Sequence, residues 1–153
     1  MAFVDYSLDF GEDKVEYPYI YNVSYAVGYI GGNCRDDVLL VQYFLKKIWE
    51  RVKGAMPPSG TMVVDGWMGP ITDRWIRDFQ SGRIYDPPQP TVMVHDGIVD
   101  RAMGGEATTI QHRTWSIAML NAAFKKKYPE LYYILPTAPD LPPLLAYALA
   151  QSV

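Results

Sequence analysis

Apolar residues recur every three or four positions along two stretches of the chain, which is the pattern of helices with one buried face. The first stretch runs from about Asp37 to Val52, and Asn33, Asp36 or Asp37 could cap its start. Its apolar stripe consists of Val38, Val41, Leu45, Ile48 and Val52, widened by Leu40, Phe44 and Trp49. We therefore expect this helix to be well buried.

A second, shorter helix is predicted from Pro70 to about Ser81, directly after an Asp65-Gly66 turn. Pro70 suits the first helical position, because its ring fixes φ and its missing N–H is not needed there. The inward face consists of Ile71, Trp75, Ile76 and Phe79, while Arg74 and Arg77 lie outside it. The turn therefore determines where this amphipathic helix begins.

The remaining segments carry weaker patterns. Residues 17–30 alternate β-forming side chains with a period of two, which predicts an extended segment that Pro18 confines to a sheet edge or a non-sheet path. A third helix is predicted from about Thr108 to Lys127, with three consecutive lysines at its carboxyl end. A proline-broken loop follows, and Pro142-Pro143 begin a last short helix.

Composition narrows the class of protein. The chain has 153 residues, 49% hydrophobic and 20% charged, which is typical of a globular domain large enough to bury a core. A net charge of −3 argues against a nucleic-acid partner, and the single Cys34 excludes an internal disulfide. No basic segment followed by an apolar run opens the chain, and no stretch predicts membrane insertion. We expect a protein that is cytoplasmic as synthesised, which a machine could deliver to the cell envelope.

The segment DGWMGPITDRWIRDFQ, residues 65–80, joins a turn, a Gly-Pro step and a Trp-rich helix in close succession. A shorter echo follows, because MVVDGWMG at 62–69 is matched by VMVHDGIVD at 92–100. Together with DVLLVQYFL at 37–45, these motifs resemble the peptidoglycan-binding domain-like family over about residues 36–102. The positions that carry the motif are Asp37, Gln42, Asp65, Gly66, Gly69, Pro70, Thr72, Ile76, Phe79, Gln80, Asp96 and Gly97.

The resemblance implies a mainly α fold, built on a small orthogonal three-helix bundle in which most of the motif residues are architectural. Asp65-Gly66 would make the turn, and Gly69 would let the chain approach the first helix closely. Gln42 and Gln80 lie at the ends of apolar stripes, where their amides could bond loop backbone that would otherwise be unsatisfied.

The chain differs from this family in its additions. We expect an extended Tyr-rich arm at 1–32, a peptidoglycan-binding-like module at 33–102, and a helical extension at 103–153, packed together as one compact domain. The connection between the first two helices is also longer than the family's usual hairpin. The family's ligand therefore does not transfer automatically to this chain.

Four residues near the first turn are candidates for ligand contact. Trp67 and Asp65 could meet a glycan through an aromatic face and a polar group. Arg74 and Arg77 could bind a stem-peptide carboxylate. The simpler alternatives are that Trp67 folds over the first helix as a lid and that both arginines only face solvent.

No catalytic or metal-binding constellation is expected. Patterns such as His-x-His, His-Glu-x-x-His and Cys-x-x-Cys are absent from the sequence, so we predict no metal site and no cofactor. Cys34 could pair with His95 or His112 as nucleophile and base, but no local signature accompanies it. A half-buried thiol is the simpler interpretation, and we predict that the protein is not an enzyme.

Two functions are compatible with these features. The motif favours a non-catalytic module that binds bacterial cell-wall peptidoglycan, as the resemblance implies. The Tyr-rich N-terminus and the C-terminal extension favour a protein–protein adaptor, or a structural component of a phage tail or a bacterial secretion or injection machine. Self-association of the chain is compatible with either function.

Overall fold

The chain is mainly helical, and one central helix organises the fold. The computed structural model describes residues 1–7, 19–52, 60–84, 93–103, 109–110 and 113–151. Helix α1 (Arg35–Glu50) contacts three other helices, namely α2 (Pro70–Gln80), α3 (Ser116–Lys127) and α5 (Pro143–Gln151). All residues from Asp37 to Leu45 are buried, so this part of α1 is enclosed on every side, as its wide apolar face predicts.

Shorter elements complete the described part of the chain. α4 (Pro129–Tyr132) and a 3₁₀ turn (Leu135–Thr137) connect α3 to α5. Strand β1 (Phe3–Asp5) pairs antiparallel with β2 (Ile20–Asn22), and β3 (Thr109–Ile110) pairs antiparallel with β4 (Arg113–Thr114). β1 packs on α5 and β2 packs on α3, so this first pair of strands belongs to the helical core.

The described part of the predicted N-terminal arm is integrated into the core. Residues 20–23 are all buried, whereas a half-buried strand would alternate buried and exposed positions. The Asn22 Nδ2 group donates to Asp5 Oδ2 at 2.9 Å and to Ala102 O at 3.0 Å. The Asn22 Oδ1 atom accepts from Ala102 N–H at 3.2 Å. One buried amide thus ties β2 both to β1 and to a segment 80 residues away.

Asn121 on α3 fixes the position of β2. Its Oδ1 accepts hydrogen bonds from Tyr21 N–H at 2.8 Å and from the Tyr132 hydroxyl at 2.9 Å. Its Nδ2 donates to Tyr21 O and to Ile117 O, both at 2.8 Å, so this buried amide is fully satisfied. The Tyr21 hydroxyl donates to Tyr132 O, and burial raises the pKa of that hydroxyl, which keeps it protonated.

The predicted helices are mostly confirmed. α1 and α2 lie within two residues of the predicted bounds, and α5 begins at Pro143 as expected. The prediction of a helix from Thr108 is wrong, because α3 begins only at Ser116 and residues 109–110 and 113–114 form β3 and β4. Thr109, Ile110 and Thr114 are β-branched, which favours strands over helices. The three lysines do lie in the last turn of α3.

The predicted side-chain cap of α1 is wrong: no side chain caps the helix, Asp36 accepts from Ala2 N–H at 2.7 Å, and Asn33 and Asp37 hold the preceding loop. The Asn33 amide accepts from Gly28 N–H at 2.9 Å and donates to Gly28 O at 2.7 Å. The Asp37 carboxylate accepts from Ser24 N–H and Tyr25 N–H, both at 3.1 Å. Burial raises the pKa of Asp37, and these two N–H groups oppose that shift only in part.

Candidate functional site at the first Asp-Gly turn

The side chain of Gln42 on α1 holds the turn that precedes α2. Its Oε1 accepts hydrogen bonds from Asp65 N–H at 3.1 Å and Gly66 N–H at 2.9 Å. Its Nε2 donates to Trp67 O at 3.1 Å and Thr72 Oγ1 at 3.0 Å, with a longer contact to Asp65 Oδ1 at 3.3 Å. Asp65 Oδ1 also accepts from Trp67 N–H at 2.9 Å. One buried amide therefore fixes both the turn and the start of α2.

Gln80 at the end of α2 holds a second turn in the same way. Its Oε1 accepts from Gly97 N–H at 2.8 Å. Its Nε2 donates to Ile98 O and Ser116 Oγ, both at 3.0 Å, with a longer contact to Asp96 Oδ1 at 3.3 Å. Asp96 Oδ1 accepts from Ile98 N–H at 3.0 Å. The prediction that Gln42 and Gln80 bond loop backbone is confirmed.

Each turn depends on a glycine in the left-handed region, with φ of +80° at Gly66 and +75° at Gly97. A Cβ atom at Gly66 would lie 2.5 Å from Arg35 Cγ and 3.1 Å from Arg35 O. A Cβ atom at Gly97 would lie 2.7 Å from the guanidinium carbon of Arg77. Each turn is thus covered by an arginine from the same helix that supplies its glutamine.

The two turns differ in what covers their outer edge. At the second turn, Val99 pairs antiparallel with Val27 through N–H to C=O hydrogen bonds of 2.8 and 3.0 Å. Gly28, the residue after Val27, lies so close to the second turn that a Cβ atom on it would be 2.8 Å from Gly97 O. No described segment covers the first turn in this way, and Trp67 there is 70% exposed.

A cleft of about 230 Å³ opens beside the first turn, between residues 61–63 and 67–72. The Arg35 guanidinium carbon lies 5.7 Å from the centre of the Trp67 ring, which is within cation–π range. No described residue forms a hydrogen bond or ion pair with this guanidinium. Asp65 is exposed at the cleft, and only its Oδ1 is engaged by described residues. Trp67 and Asp65 therefore bring an exposed indole and a carboxylate oxygen to the cleft, and Arg35 places a cation beside the indole.

The structure separates the four predicted ligand residues. Trp67 and Asp65 lie at the cleft, and the Trp67 ring is exposed rather than folded over α1. Arg74 and Arg77 lie on the exposed face of α2, outside the cleft lining. Arg77 Nε donates to both carboxylate oxygens of Asp73 at 3.1 Å.

Arg35 is the residue that sequence reasoning missed. The signal for it was present, because Arg35 lies seven residues before Gln42 and residues at that spacing share one face of a helix. Because Gln42 binds the first turn, the sequence could therefore have predicted that Arg35 lies near the same turn.

The expected role of Gly69 is wrong. No atom lies within 4 Å of the position that a Cβ would take at Gly69, so the chain does not approach α1 closely there. Its φ of −154° is ordinary extended backbone, which other residues adopt as well. Gly69 instead occupies the N-cap position of α2, where it provides no side-chain cap.

A second cleft of about 320 Å³ adjoins the first, and both are lined by Thr61 and Met62. Its other walls include Lys46 and Trp49 of α1 and Trp75 of α2. The Trp49 and Trp75 rings meet edge to face, with centres 5.6 Å apart and an interplanar angle of 78°. The two clefts thus share the part of their walls that Thr61 and Met62 form.

Among the described residues, no group of three or more His, Cys, Asp or Glu side chains could hold a metal ion. Cys34 is half-buried and His95 is exposed, and His112 lies outside the described residues. The described helices are all too short or too polar to span a membrane. No family model, no curated protein and no solved structure matches the chain. Function is therefore inferred from the geometry of the first turn and its cleft.

Proposed function

We propose that this protein is a non-catalytic binding module that recognises bacterial cell-wall peptidoglycan at the first Asp-Gly turn. The observation that carries the proposal is an exposed Trp67 ring that lines a cleft and has the Arg35 guanidinium beside it. The resemblance of residues 36–102 to the peptidoglycan-binding domain-like family supports it. Residues 36–102 contain α1, α2 and both glutamine-held turns, and on this proposal α3, which follows that stretch, completes the three-helix bundle.

The Trp67 ring suits the sugar part of such a ligand. An indole that is 70% exposed offers a flat apolar face, and the C–H faces of pyranose rings pack on such surfaces. The turn that carries this side chain is rigid, since Gln42 and Asp65 both hold its backbone. The Oδ2 atom of Asp65 is available to accept a hydrogen bond from a sugar hydroxyl.

The Arg35 guanidinium suits the peptide part. Peptidoglycan stems carry carboxylates, and a guanidinium can bind a carboxylate through two parallel hydrogen bonds. The second cleft adjoins the first at Thr61 and is lined by Lys46 and Trp49, which repeat the combination of cation and indole. Two neighbouring positions of this kind suit a ligand with repeated units.

The test is co-sedimentation with purified insoluble peptidoglycan sacculi. Trp67→Ala and Arg35→Ala should each reduce the bound fraction about tenfold, since each removes a principal contact of the site. Arg74→Ala is the matched control, because it removes an exposed arginine that, unlike Arg35, does not lie beside the Trp67 ring. Circular dichroism of each variant should match the wild type.

The outcomes separate the alternatives. If the wild type stays wholly in the supernatant, wall recognition is excluded. If Arg74→Ala loses binding and Arg35→Ala does not, the contact surface is the outer face of α2 rather than the cleft.

The second candidate function is a protein–protein adaptor of a phage tail or of a bacterial secretion or injection machine. The loop after β2 favours it, because Tyr25 and Tyr29 are each 58% exposed and Ile30 is 85% exposed. Exposed apolar clusters of this kind occur at protein interfaces. If they mediate self-association, sedimentation velocity should show concentration-dependent assembly that Ile30→Ser weakens. A strictly monomeric wild type would exclude self-association through this loop.

A further inference from the structure

We propose that the backbone of Met68 is a docking edge for an extended polypeptide segment of a partner protein. The partner would pair with Met68 at the first turn as Val27 pairs with Val99 at the second. This inference goes beyond wall recognition and does not depend on it.

The two positions are equivalent within their turns. Met68 lies three residues after Asp65, and Val99 lies three residues after Asp96. Both turns carry the same internal Asp hydrogen bond and are held by a glutamine amide in the same way. The backbone groups of Met68 and Val99 therefore stand in the same relation to the turn that precedes them.

Hydrogen-bonding capacity and open space coincide at Met68. Both backbone groups of Val99 are used, at 2.8 and 3.0 Å, by Val27. The N–H and C=O of Met68 form no hydrogen bond with any described residue, although this residue lines the open cleft. At the next residue, Gly69, nothing lies within 4 Å of the position that a Cβ would take, so the space beside that residue is open. Unpaired backbone N–H and C=O groups are what an added strand uses.

The second turn also indicates which sequence the partner segment should have. Val27 is completely buried, so an apolar residue is expected at the paired position. A Cβ atom at Gly28 would lie 2.8 Å from Gly97 O and 3.1 Å from Ile98 Cα. At the first turn the same approach would bring the partner's next residue against Gly66 and Trp67. We therefore infer an apolar residue followed by glycine.

The cleft offers contact for the apolar side chain of the partner. Val63 is 60% exposed and Ile71 is 39% exposed, and both line the cleft beside Met68. Burial of these two side chains would add an apolar contribution to the two backbone hydrogen bonds. An L-polypeptide is favoured over a wall ligand for this edge, because a segment of this same chain, at Val27, occupies the equivalent edge.

The test uses the full chain labelled with ¹⁵N and a synthetic peptide with the sequence SYAVGYI, which is residues 24–30. Titration should shift the amide signals of Met68 and Trp67 and slow the hydrogen exchange of the Met68 amide. A peptide with an N-methylated valine lacks the donor for Met68 O and should bind about tenfold more weakly. A peptide with alanine in place of glycine should weaken by a similar factor, because its methyl group would meet the turn.

Two protein variants test the same edge from the other side. Met68→Pro removes the backbone N–H and should abolish the response, whereas Met68→Ala keeps both backbone groups and should bind within about threefold of the wild type. The peptide variants remain decisive if Met68→Pro fails to fold.

Three results with the peptides would overturn the proposal. The first is that SYAVGYI shifts no Met68 signal at its highest concentration, and the second is that it shifts signals around Val99 instead. The third is that the N-methylated peptide binds as tightly as the unmodified one. A soluble muropeptide that shifts Met68 while SYAVGYI does not would also overturn it and assign the edge to a wall ligand. Failure of the sacculi experiment would leave these readouts unchanged, so the two proposals fail separately.

Discussion

Gln42 and Gln80 make the same set of contacts at two different places in the molecule. Each amide accepts from the N–H of a turn glycine and donates to the carbonyl that follows it and to a hydroxyl near the start of the next helix. Gln42 lies on α1 and Gln80 lies on α2, so α2 is the second helix of the first helix–turn–helix unit and the first helix of the next one. The fold therefore contains a helix–turn–helix unit used twice, which explains the short echo in the sequence.

Gln42→Ala should lower the free energy of unfolding by about 1–3 kcal/mol, because it leaves the buried Gly66 N–H and Thr72 hydroxyl without a partner. Urea denaturation followed by circular dichroism measures this change. Gln151→Ala, at the exposed end of α5, is the control and should change stability by less than about 0.5 kcal/mol. Equal stability of Gln42→Ala and wild type would contradict the structural role of this amide.

Gly66→Ala should destabilise the protein by about 1–3 kcal/mol, through its left-handed backbone and the contact with Arg35. Gly97→Ala should cost less, because the atoms nearest its new methyl group are the mobile guanidinium of Arg77 rather than backbone. Thermal unfolding of both variants shows which substitution lowers the stability more. A Gly97→Ala variant that is less stable than Gly66→Ala would show that the guanidinium cannot move aside.

Gly69→Ser should stabilise the protein by roughly 0.5–1 kcal/mol. A side chain meets nothing at this N-cap position, and a serine Oγ can accept a hydrogen bond from a backbone N–H in the first turn of α2. Comparison of the midpoints of chemical denaturation measures the gain. Gly69→Ala supplies no acceptor, so if it stabilises the protein as much as serine does, capping is not the cause.

The stability contribution of Asp140 should depend on pH. Asp140 accepts hydrogen bonds from Lys47 Nζ at 2.9 Å and from the Tyr43 hydroxyl at 2.8 Å. Partial burial raises the pKa of this carboxyl, but the two donors outweigh it and hold the pKa below its ordinary value of 3.8. The ionised Asp140 carboxylate therefore stabilises the fold fully at pH values above its pKa in the unfolded chain. This stabilisation is lost as the pH falls through the pKa of Asp140 in the folded protein.

Asp140→Asn should accordingly lower the free energy of unfolding at about pH 7 by less than about 1 kcal/mol, since the carboxylate is half exposed and screened by solvent. At about pH 2 the variant and the wild type should be equally stable. Denaturation curves at the two pH values test this, and a difference that grows in acid would contradict it.

Patterns within single helices predicted much of the structure. The stripes of α1 and α2 depend only on neighbouring residues, and the two glutamines stand at the ends of those stripes, where loop backbone needs partners. The turn glycines followed from their Asp-Gly pairs, since φ is positive at both.

Contacts between distant segments were not predictable in the same way. The burial of residues 20–23 depends on Asn121 and Ala102, which the period-two pattern of the strand does not reveal. The start of α3 was missed because Ile110 fits a helical stripe and a strand equally well. The site was predicted in part: Trp67 and Asp65 lie at the cleft, but Arg35 replaces the arginines of α2 beside the indole.

The hydrogen bonds between Tyr21 and Asn121 also constrain how the protein is made. These residues are 100 positions apart, so most of the chain must leave the ribosome before the strand at residues 20–22 meets its helical partner. Until then Ile20 and Val23, which are completely buried in the finished fold, lack the part of their native surroundings that α3 supplies. Synthesis therefore passes through a stage in which the strand at residues 20–22 is incompletely covered, and such apolar surface favours aggregation until the chain is complete.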